Sequence, residues 1–258
     1  MALIQCDFHS DVLGMACSMN VIIPQQSITQ IGMSGGTAKT EYPVLYLLHG
    51  CSDDHTIWGR RTSIERYVAG MDLIVVMPNV HRSFYTDMKA GAKYWTFVSE
   101  ELPEIVKSFF PVSTRREDTF VAGLSMGGYG ALKLALRCPE KFAAAASLSG
   151  VTDIHGFAAD HDGFNHDMKL VFGDMEEFVG SDDDLFQLST DLKKSGKDIP
   201  NLFQACGTED FLYDGNIRYR DHLQQLGYDL HYQESLGVHS WDFWDANIQD
   251  VLKWLPIL

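Results

Sequence analysis

A serine flanked by glycines is the place where chemistry is most readily recognised in this sequence. The stretch FVAGLSMGGYGALKLAL, from Phe120 to Leu136, places Ser125 in the pattern G-x-S-x-G. A strand-like apolar run precedes the serine and a helix-like run follows it, which is the context that this motif requires. The alternative is a turn whose glycines only allow close packing on a strand. The context favours a nucleophilic serine at a helix N-terminus, where backbone N–H groups favour negative charge.

A serine hydroxyl is a weak nucleophile until a base takes its proton, so the sequence should supply a histidine and an acid. In this arrangement they follow the serine in the order acid, then histidine. His239, in a loop-like stretch before a helical run, is the predicted base. The acid is one of Glu209, Asp210 and Asp214. Asp210 is predicted, because Glu209 is expected to point away and Asp214 to cap the next helix.

Acyl transfer creates a negatively charged oxygen that fixed donors must stabilise. The first predicted donor is the backbone N–H of Met126, directly after the nucleophile. The second is the N–H of Cys51, because YLLHGCSDDHTIW ends a strand-like run with Gly50, which allows a tight turn. His49 is predicted to orient this loop and not to act as a second base. An ordinary turn at the end of a strand is the alternative for this segment.

Apolar runs alternate with helical patterns along most of the chain, which predicts a mostly parallel sheet with helices on both faces. The first forty residues predict an antiparallel hairpin at one sheet edge, and residues 151–200 predict a cap inserted in the domain. The predicted strands are Pro43–Gly50, Asp72–Asn79, Asp118–Gly123, Ala143–Gly150, Asn201–Gly207 and Asp229–Ser235. The predicted helices are Ser63–Ala69, Trp95–Phe110, Gly127–Arg137, Asn216–Leu226 and Trp241–Leu255.

Four motifs together resemble the esterase D-type branch of the α/β-hydrolases, and within it the bacterial tributyrin esterases. They are LYLLHGCSDDHTIW, YTDMKAGAKYWTFVSEELPEIV, VAGLSMGGYGALKLAL and GTEDFLYDGN. The resemblance covers nearly the whole chain and implies one α/β-hydrolase domain over residues 1–258. It also implies a carboxylesterase for short acyl esters, with the triad and oxyanion donors named above, and a homo-oligomer.

The same branch includes S-formylglutathione hydrolases and esterases that remove acetyl or feruloyl groups from plant polysaccharide, and these motifs do not separate them. A non-catalytic or mycolyl-transfer-like relative is a further alternative, which the intact Ser125, Asp210 and His239 disfavour. The branch often carries another residue where this chain has Cys51. The thiol is therefore expected to make activity sensitive to oxidation or alkylation.

Aromatic residues near these motifs are candidates for an apolar pocket that binds substrate. Trp58, Tyr85 and Trp95 are the predicted substrate contacts, with Phe84 beside them. Anchoring of a helix to the core is the alternative for Trp95. The later Trp241 and Trp244 are expected to belong more to the core than to the pocket.

Composition limits the classes of partner. The formal net charge of −15 disfavours binding to nucleic acids and to anionic lipid surfaces. No apolar run is long enough to span a bilayer, and the N-terminus lacks the pattern of a secretory signal. The five widely spaced cysteines argue against a disulfide scaffold or a zinc site. We therefore expect a cytoplasmic enzyme that needs no metal or cofactor and acts on a small-molecule ester.

Overall fold

A computed structural model describes residues 1–32 and 35–257, apart from the side chains of Asp162 and Asn165. Within this part of the chain, eight strands form one sheet in the order β1-β2-β4-β3-β5-β6-β7-β8. The strands are β1 (Ala2–Ser10), β2 (Met15–Ile23), β3 (Val44–Leu48), β4 (Ile74–Pro78), β5 (Thr119–Leu124), β6 (Ala144–Leu148), β7 (Asn201–Gly207) and β8 (Leu230–Ser235).

Strands β3 to β8 run parallel to one another, whereas β2 is antiparallel to both of its neighbours. The hairpin of β1 and β2 turns at Gly14, whose φ of 66° is readily adopted only by glycine. The inner strands β3, β4 and β6 are buried at every position, which explains their uninterrupted apolar sequences. The predictions of an edge hairpin and a mostly parallel sheet are confirmed.

Helices cover both faces of the sheet. Successive residues of β3 belong to different hydrophobic layers: Tyr46 packs in the layer of α4, α5 and α10, and Leu47 in that of α1, α2 and α11. The described α-helices are α1 (Ile57–Arg61), α2 (Ile64–Tyr67), α3 (Tyr94–Thr96), α4 (Leu102–Phe109), α5 (Met126–Arg137), α6 (Ile154–Asp160), α7 (Asn165–Phe172), α8 (Met175–Phe178), α9 (Leu185–Ser195), α10 (Tyr213–Gln225) and α11 (Trp241–Trp254).

The helix predicted over Trp95–Phe110 contains a π-helical turn, Phe97–Glu101, between α3 and α4. Pro103 follows this turn and has no N–H to donate to the carbonyl four residues earlier. That carbonyl, of Ser99, instead accepts a hydrogen bond of 2.7 Å from the ammonium of Lys141. The periodicity of the sequence predicted one helix because the π turn leaves the apolar face nearly continuous.

The segment of residues 151–200, called the cap segment below, lies between β6 and β7 and contains α6 to α9. Three of these helices, α6, α8 and α9, follow an aspartate whose side chain accepts a hydrogen bond from a backbone N–H; the aspartates are Asp153, Asp174 and Asp184. These caps explain why an acidic stretch with a weak strand pattern folds as short helices. Among the residues that the structure describes, no helix is long and apolar enough to cross a membrane.

Candidate active site

The turn from β5 to α5 presents Ser125 in a strained conformation, with φ of 53° and ψ of −118°. Such a conformation is rare for a residue with a side chain and persists only where the surroundings enforce it. The flanking glycines allow it: a Cβ on Gly127 would lie 2.5 Å from the carbonyl oxygen of Leu48. A Cβ on Gly123 would in turn collide with the backbone of Gly127. Close backbone approach therefore explains both glycines.

His239 lies between Ser125 and Asp210. Its Nε2 is 3.1 Å from the Ser125 hydroxyl, and its Nδ1 lies 2.9 and 3.1 Å from the two carboxylate oxygens of Asp210. With Nδ1–H donating to the carboxylate, Nε2 is left unprotonated and can accept the serine proton. The structure thus brings together the three side chains that the sequence predicted, in the order required for general base catalysis.

The Asp210 carboxylate is buried, and its side chain has no exposed surface. The backbone N–H of Leu212 donates a hydrogen bond of 2.9 Å to it. Glu209 is exposed, as expected. Asp214 does not cap α10: it lies in the first turn, where its charge favours the helix dipole, and Leu212 holds the cap position.

The backbone of the loop after β3 approaches the serine closely. A Cβ on Gly50 would lie 3.7 Å from the Cβ of Ser125, so the peptide that joins Gly50 to Cys51 is next to the nucleophile. Met126 is the first residue of α5, where a backbone N–H has no partner within the helix. Both predicted donor residues therefore lie beside Ser125.

His49 is buried and holds the loop after β3 in place through hydrogen bonds of its imidazole ring. Its Nδ1 lies 2.7 Å from the Gly50 carbonyl oxygen, and its Nε2 accepts a bond of 3.0 Å from the N–H of Val80. Nδ1 must therefore donate to Gly50, which sets the tautomer. Burial lowers the pKa of His49 to about 4, so the ring is neutral near pH 7. Because the carbonyl of Gly50 and the N–H of Cys51 share one peptide plane, this bond also orients the predicted oxyanion donor.

A cavity of about 450 Å³ opens beside Ser125 and His239. Its walls are mostly apolar and aromatic, as is common in pockets that bind small molecules. They combine side chains of the sheet edge with Phe157 and Phe164 of the cap segment. The lining residues are Gly50, Cys51, Ser52, Asp53, Arg82, Phe84, Leu124, Ser125, Val151, Phe157, Phe164, Phe211, Leu212, His239, Ser240, Trp241 and Trp244.

One ion pair joins the cap segment to the body at the cavity wall. The guanidinium of Arg82 binds the carboxylate of Asp167 through two nitrogens, one at 3.2 Å. Arg82 also lies over the ring of Phe164, at 5.8 Å from its centroid. These contacts place α7 across one side of the cavity.

The three aromatic residues predicted to contact substrate are not among the described residues that line this cavity. Trp58 is buried and donates its indole N–H to the Leu48 carbonyl, at 3.0 Å. Tyr85 is buried and donates its hydroxyl hydrogen to the His49 carbonyl. Trp95 packs under the guanidinium of Arg137, 4.1 Å from its ring centroid. Each of them supports the scaffold, since its polar or aromatic group is already engaged there.

Trp241 and Trp244 were expected to belong more to the core than to the pocket, but both line the cavity as well as packing in the core. The ring of Trp244 meets the His239 imidazole edge to face, with centroids 4.8 Å apart. Their position directly after His239, at the start of α11, was the available signal. For Phe157, Phe164 and Phe211 the sequence held no local signal, since their approach to Ser125 depends on how the cap segment and the loop after β7 fold.

Burial raises the pKa of the Cys51 thiol to about 11, so little thiolate exists near neutral pH. This disfavours the expected sensitivity to alkylation, because the thiolate is the reactive species. All five cysteines are unpaired. Among the described residues, no group of three or more His, Cys, Asp or Glu side chains is arranged to hold a metal ion.

The sequence profile of the family described as "Putative esterase" matches residues 10–255. The chain belongs to this esterase family. An acetyl esterase from Caldicellulosiruptor saccharolyticus is 34% identical over 99% of this chain and 98% of its own length. The family and this relative make the protein a carboxylic ester hydrolase.

Two solved structures from Staphylococcus aureus are also 34% identical to this esterase, and in both comparisons 98% of each chain is covered. One is fluorophosphonate-binding serine hydrolase F in a substrate-bound form, with a TM-score of 0.89. The other is an S-formylglutathione hydrolase, with a TM-score of 0.87. A ferulic acid esterase is 26% identical, with a TM-score of 0.78. These neighbours support the α/β-hydrolase fold, and the last two are named for different acyl substrates.

Proposed function

We propose that this esterase hydrolyses short-chain acyl esters, from acetyl to butyryl, through a triad of Ser125, His239 and Asp210. The observation that carries the proposal is the unbroken contact from the Ser125 hydroxyl to His239 Nε2 and from His239 Nδ1 to the buried Asp210 carboxylate. A serine so placed at a helix N-terminus beside an apolar cavity suits nucleophilic acyl transfer.

In the first half-reaction, Ser125 Oγ attacks the ester carbonyl while His239 Nε2 takes the hydroxyl proton. The Asp210 carboxylate keeps the imidazole in the correct tautomer and stabilises the imidazolium. The N–H groups of Met126 and Cys51 stabilise the oxyanion. His239 then gives its proton to the leaving alcohol, and the acyl group stays on Ser125.

In the second half-reaction, a water molecule loses a proton to His239 Nε2 and attacks the acyl carbonyl. The same backbone donors stabilise the second oxyanion. The carboxylic acid leaves as Ser125 regains its proton from His239. Water must reach the acyl-enzyme for this step, and the opening of the cavity beside Ser125 supplies that access.

The cavity favours small neutral esters. Its volume of about 450 Å³ must hold both the acyl and the alcohol part of the substrate. Arg82, the one arginine or lysine among the described residues that line the cavity, is paired with Asp167 and is not free to bind a carboxylate. An acyl group of up to four carbons beside a small alcohol fits a space of this size. Butyryl esters such as tributyrin are therefore included among the proposed substrates.

S-formylglutathione is the second candidate substrate, because a chain of 34% identity carries that name. Its carboxylates would need cationic partners at the cavity mouth. Arg82 would serve only if it left Asp167, and the net charge of −15 opposes anionic substrates. Short neutral esters are therefore the better proposal. A non-catalytic binding role is disfavoured, because the complete triad has no use in a binding protein.

The test is a series of initial rates on p-nitrophenyl esters from acetyl to dodecanoyl, with S-formylglutathione and methyl ferulate alongside. The Ser125→Ala variant serves as the control and should lose roughly 10⁶-fold in turnover. Rates that peak at acetyl to butyryl and vanish in the variant support the proposal. A dominant rate on S-formylglutathione would overturn the choice of substrate, and near-normal turnover of the variant would overturn the triad.

A further inference from the structure

Lys133 is a buried lysine on α5, eight residues after the nucleophile, and it has no exposed side-chain surface. Its ammonium group binds three oxygens from two other parts of the chain. They are the carbonyl of Tyr85 at 3.1 Å, the hydroxyl of Thr86 at 2.7 Å and the carboxylate of Asp183 at 2.6 Å. A buried charge is costly unless it is fully paired, so an apolar residue would fill this position more easily. The energetic cost of this lysine points to a role beyond packing.

The first partner is the segment His81–Thr86, which has a strained backbone. His81, Phe84 and Tyr85 all have positive φ, between 49° and 53°. Residues with side chains stay in this region only where other contacts enforce it. Lys133 supplies such contacts, since it binds Tyr85 and Thr86 directly and the Thr86 hydroxyl donates to the Phe84 carbonyl at 2.9 Å.

This strained segment forms part of the cavity wall, because Arg82 and Phe84 both line the space beside Ser125. Its other end reaches the loop after β3, where the Tyr85 hydroxyl donates to the His49 carbonyl at 3.0 Å. A small rearrangement of the segment would therefore change the shape of the cavity and the support of His49.

The second partner is the cap segment, bound just before α9. Besides the ion pair of Lys133, Asp183 accepts a hydrogen bond on its carbonyl from the Tyr129 hydroxyl, at 2.7 Å. The guanidinium of Arg137 lies 3.6 Å from the Asp183 carboxylate. The helix that begins with the nucleophile thus binds the cap segment through three of its side chains.

We propose that Lys133 is a positioning residue that sets acyl selectivity by holding the strained wall segment His81–Thr86 and the cap segment against the nucleophile helix. The inference rests on the proposed function, since it concerns the cavity that would receive the acyl group. Lys133 touches no reacting atom. It acts through Phe84 and Arg82 on one side and through Asp183 on the other.

The same contacts make this position sensitive to alkaline pH. Burial lowers the pKa of Lys133 to about 8, although the Asp183 carboxylate opposes the shift. The charged groups that face the ammonium are Asp183 from the cap segment, Arg137 on α5 and Asp87 after the wall segment, and the rings of Trp95 and Tyr129 lie beside it. As pH rises through 8, the ammonium loses its charge and the ion pair to the cap segment is lost.

The experiment separates the two partners by substitution. Thr86→Val removes the hydroxyl that accepts from Lys133 and donates to the Phe84 carbonyl, so it loosens the wall segment alone. Asp183→Asn removes the carboxylate charge that Lys133 binds on the cap segment, and Lys133→Met removes the links to both segments. Lys141→Met is the matched control, because Lys141 also binds one carbonyl but lies outside the lining of the cavity. For each variant, kcat/KM is measured for p-nitrophenyl butyrate and octanoate between pH 6 and 10, with subtraction of spontaneous hydrolysis.

We expect the butyrate-to-octanoate ratio of kcat/KM to fall about 10-fold in Lys133→Met and in Thr86→Val, because a loosened wall segment leaves room for the longer acyl chain, and one apolar group in a pocket changes discrimination by about this factor. The wild type should lose activity on the alkaline side near pH 8. Asp183→Asn should shift this loss to lower pH, because removal of the carboxylate lowers the lysine pKa further. Lys133→Met should lack it.

If all three variants keep the wild-type ratio and the wild-type pH profile, as Lys141→Met should, the positioning role is wrong. If Lys133→Met does not fold, Thr86→Val and Asp183→Asn decide the question by the same two measurements. Failure of the proposed function is distinguishable, because the wild type would then show no serine-dependent hydrolysis of either ester.

Discussion

The turn that carries Ser125 and the cap segment are both part of the cavity, but they are specified in different ways. The turn is fixed by backbone approach: Gly123 and Gly127 leave no room for a Cβ, and Ser125 is held at positive φ. The cap segment is held by side chains, through the Arg82–Asp167 and Lys133–Asp183 pairs and aromatic packing. The comparison suggests that the turn determines the chemistry and the cap segment determines which acyl group reaches it.

Among variants that keep Ser125, the largest effect should come from a substitution of Asp210, the proposed acid of the triad. Asp210→Asn keeps the shape of the side chain but donates where the carboxylate accepted, so it favours the wrong tautomer of His239. We expect turnover to fall about 10⁴-fold, as in the matching substitution in other serine triads. Steady-state kinetics on p-nitrophenyl butyrate measures this.

The control for this substitution is Glu209→Gln, which changes the neighbouring exposed carboxylate and should keep the wild-type turnover. Equal losses in the two variants would mean that the acid is misassigned. Such a result would also contradict the division of roles between the turn that carries Ser125 and the cap segment, since the chemistry would then not depend on the acid placed beside that turn.

A substitution of His49 tests whether the loop after β3, beside Ser125, depends on one neutral imidazole. Its folded pKa of about 4 lies below the ordinary value of 6.5, so between these pH values the unfolded chain binds a proton that the folded protein does not. The stability contribution is therefore complete above pH 6.5 and is lost as pH falls towards 4. At pH 5 the loss from this group should be about 2 kcal/mol.

Urea unfolding of the wild type and of His49→Gln at pH 7 and pH 5 measures this loss. The variant should be less stable at pH 7, because it loses the bond that fixes Gly50, but its further decrease at pH 5 should be smaller by about 2 kcal/mol. Identical decreases in the two proteins would show that His49 is not buried as a neutral ring.

These tests bear on how much the sequence could predict. The inner strands and the catalytic turn were predictable, because a strand buried on both faces must be apolar throughout and a close backbone approach must use glycine. The proposed triad followed from the order of Ser125, Asp210 and His239, which come after β5, β7 and β8. The direction of large side chains was not predictable, because it depends on which neighbour offers a partner: Trp58 finds the Leu48 carbonyl and turns away from the cavity.

The arrangement of the cap segment could not be predicted from the sequence, which indicated only that a segment is inserted there. Phe157 and Phe164 reach the cavity only because α6 and α7 cross its opening, and no pattern in the sequence sets that crossing. The ion pair of Lys133 with Asp183 spans fifty residues, and a lysine in the middle of an amphipathic pattern gives no sign that it is buried. The position of the cap segment therefore depends on pairs between residues far apart in the sequence, whereas the turn that carries Ser125 depends on neighbouring residues and could be predicted.

The cap side should change selectivity and leave the chemistry intact. Phe157→Ala removes a buried ring from the cavity wall, which leaves room for a longer acyl chain. We expect kcat/KM for p-nitrophenyl octanoate to rise relative to butyrate by roughly 10-fold, the size of effect typical of one apolar group in a pocket. Rates on p-nitrophenyl acetate should stay close to those of the wild type.

The matched control is Phe109→Ala, which removes an exposed ring at the end of α4. It should leave the whole acyl series unchanged. A loss of turnover on every ester in Phe157→Ala, with the ratio unchanged, would contradict the division of roles, because the cap segment would then support the chemistry itself.

The smallest effect concerns Cys51, which lies in the loop after β3 and lines the cavity. Because the thiol pKa of about 11 lies three to four units above pH 7.5, roughly one thiol in several thousand is ionised there, so iodoacetamide should leave the esterase rate unchanged. The rate of alkylation should rise about tenfold for each pH unit up to pH 9.5, because the thiolate fraction does so below the pKa.

Free cysteine, with its ordinary pKa near 8.5, is the control and should approach a plateau over the same range. Mass spectrometry of the peptide that contains Cys51 measures the alkylation directly. Rapid modification at pH 7.5 with loss of activity would show that the loop opens to solvent, and the catalytic side would then be less rigid than its backbone contacts indicate.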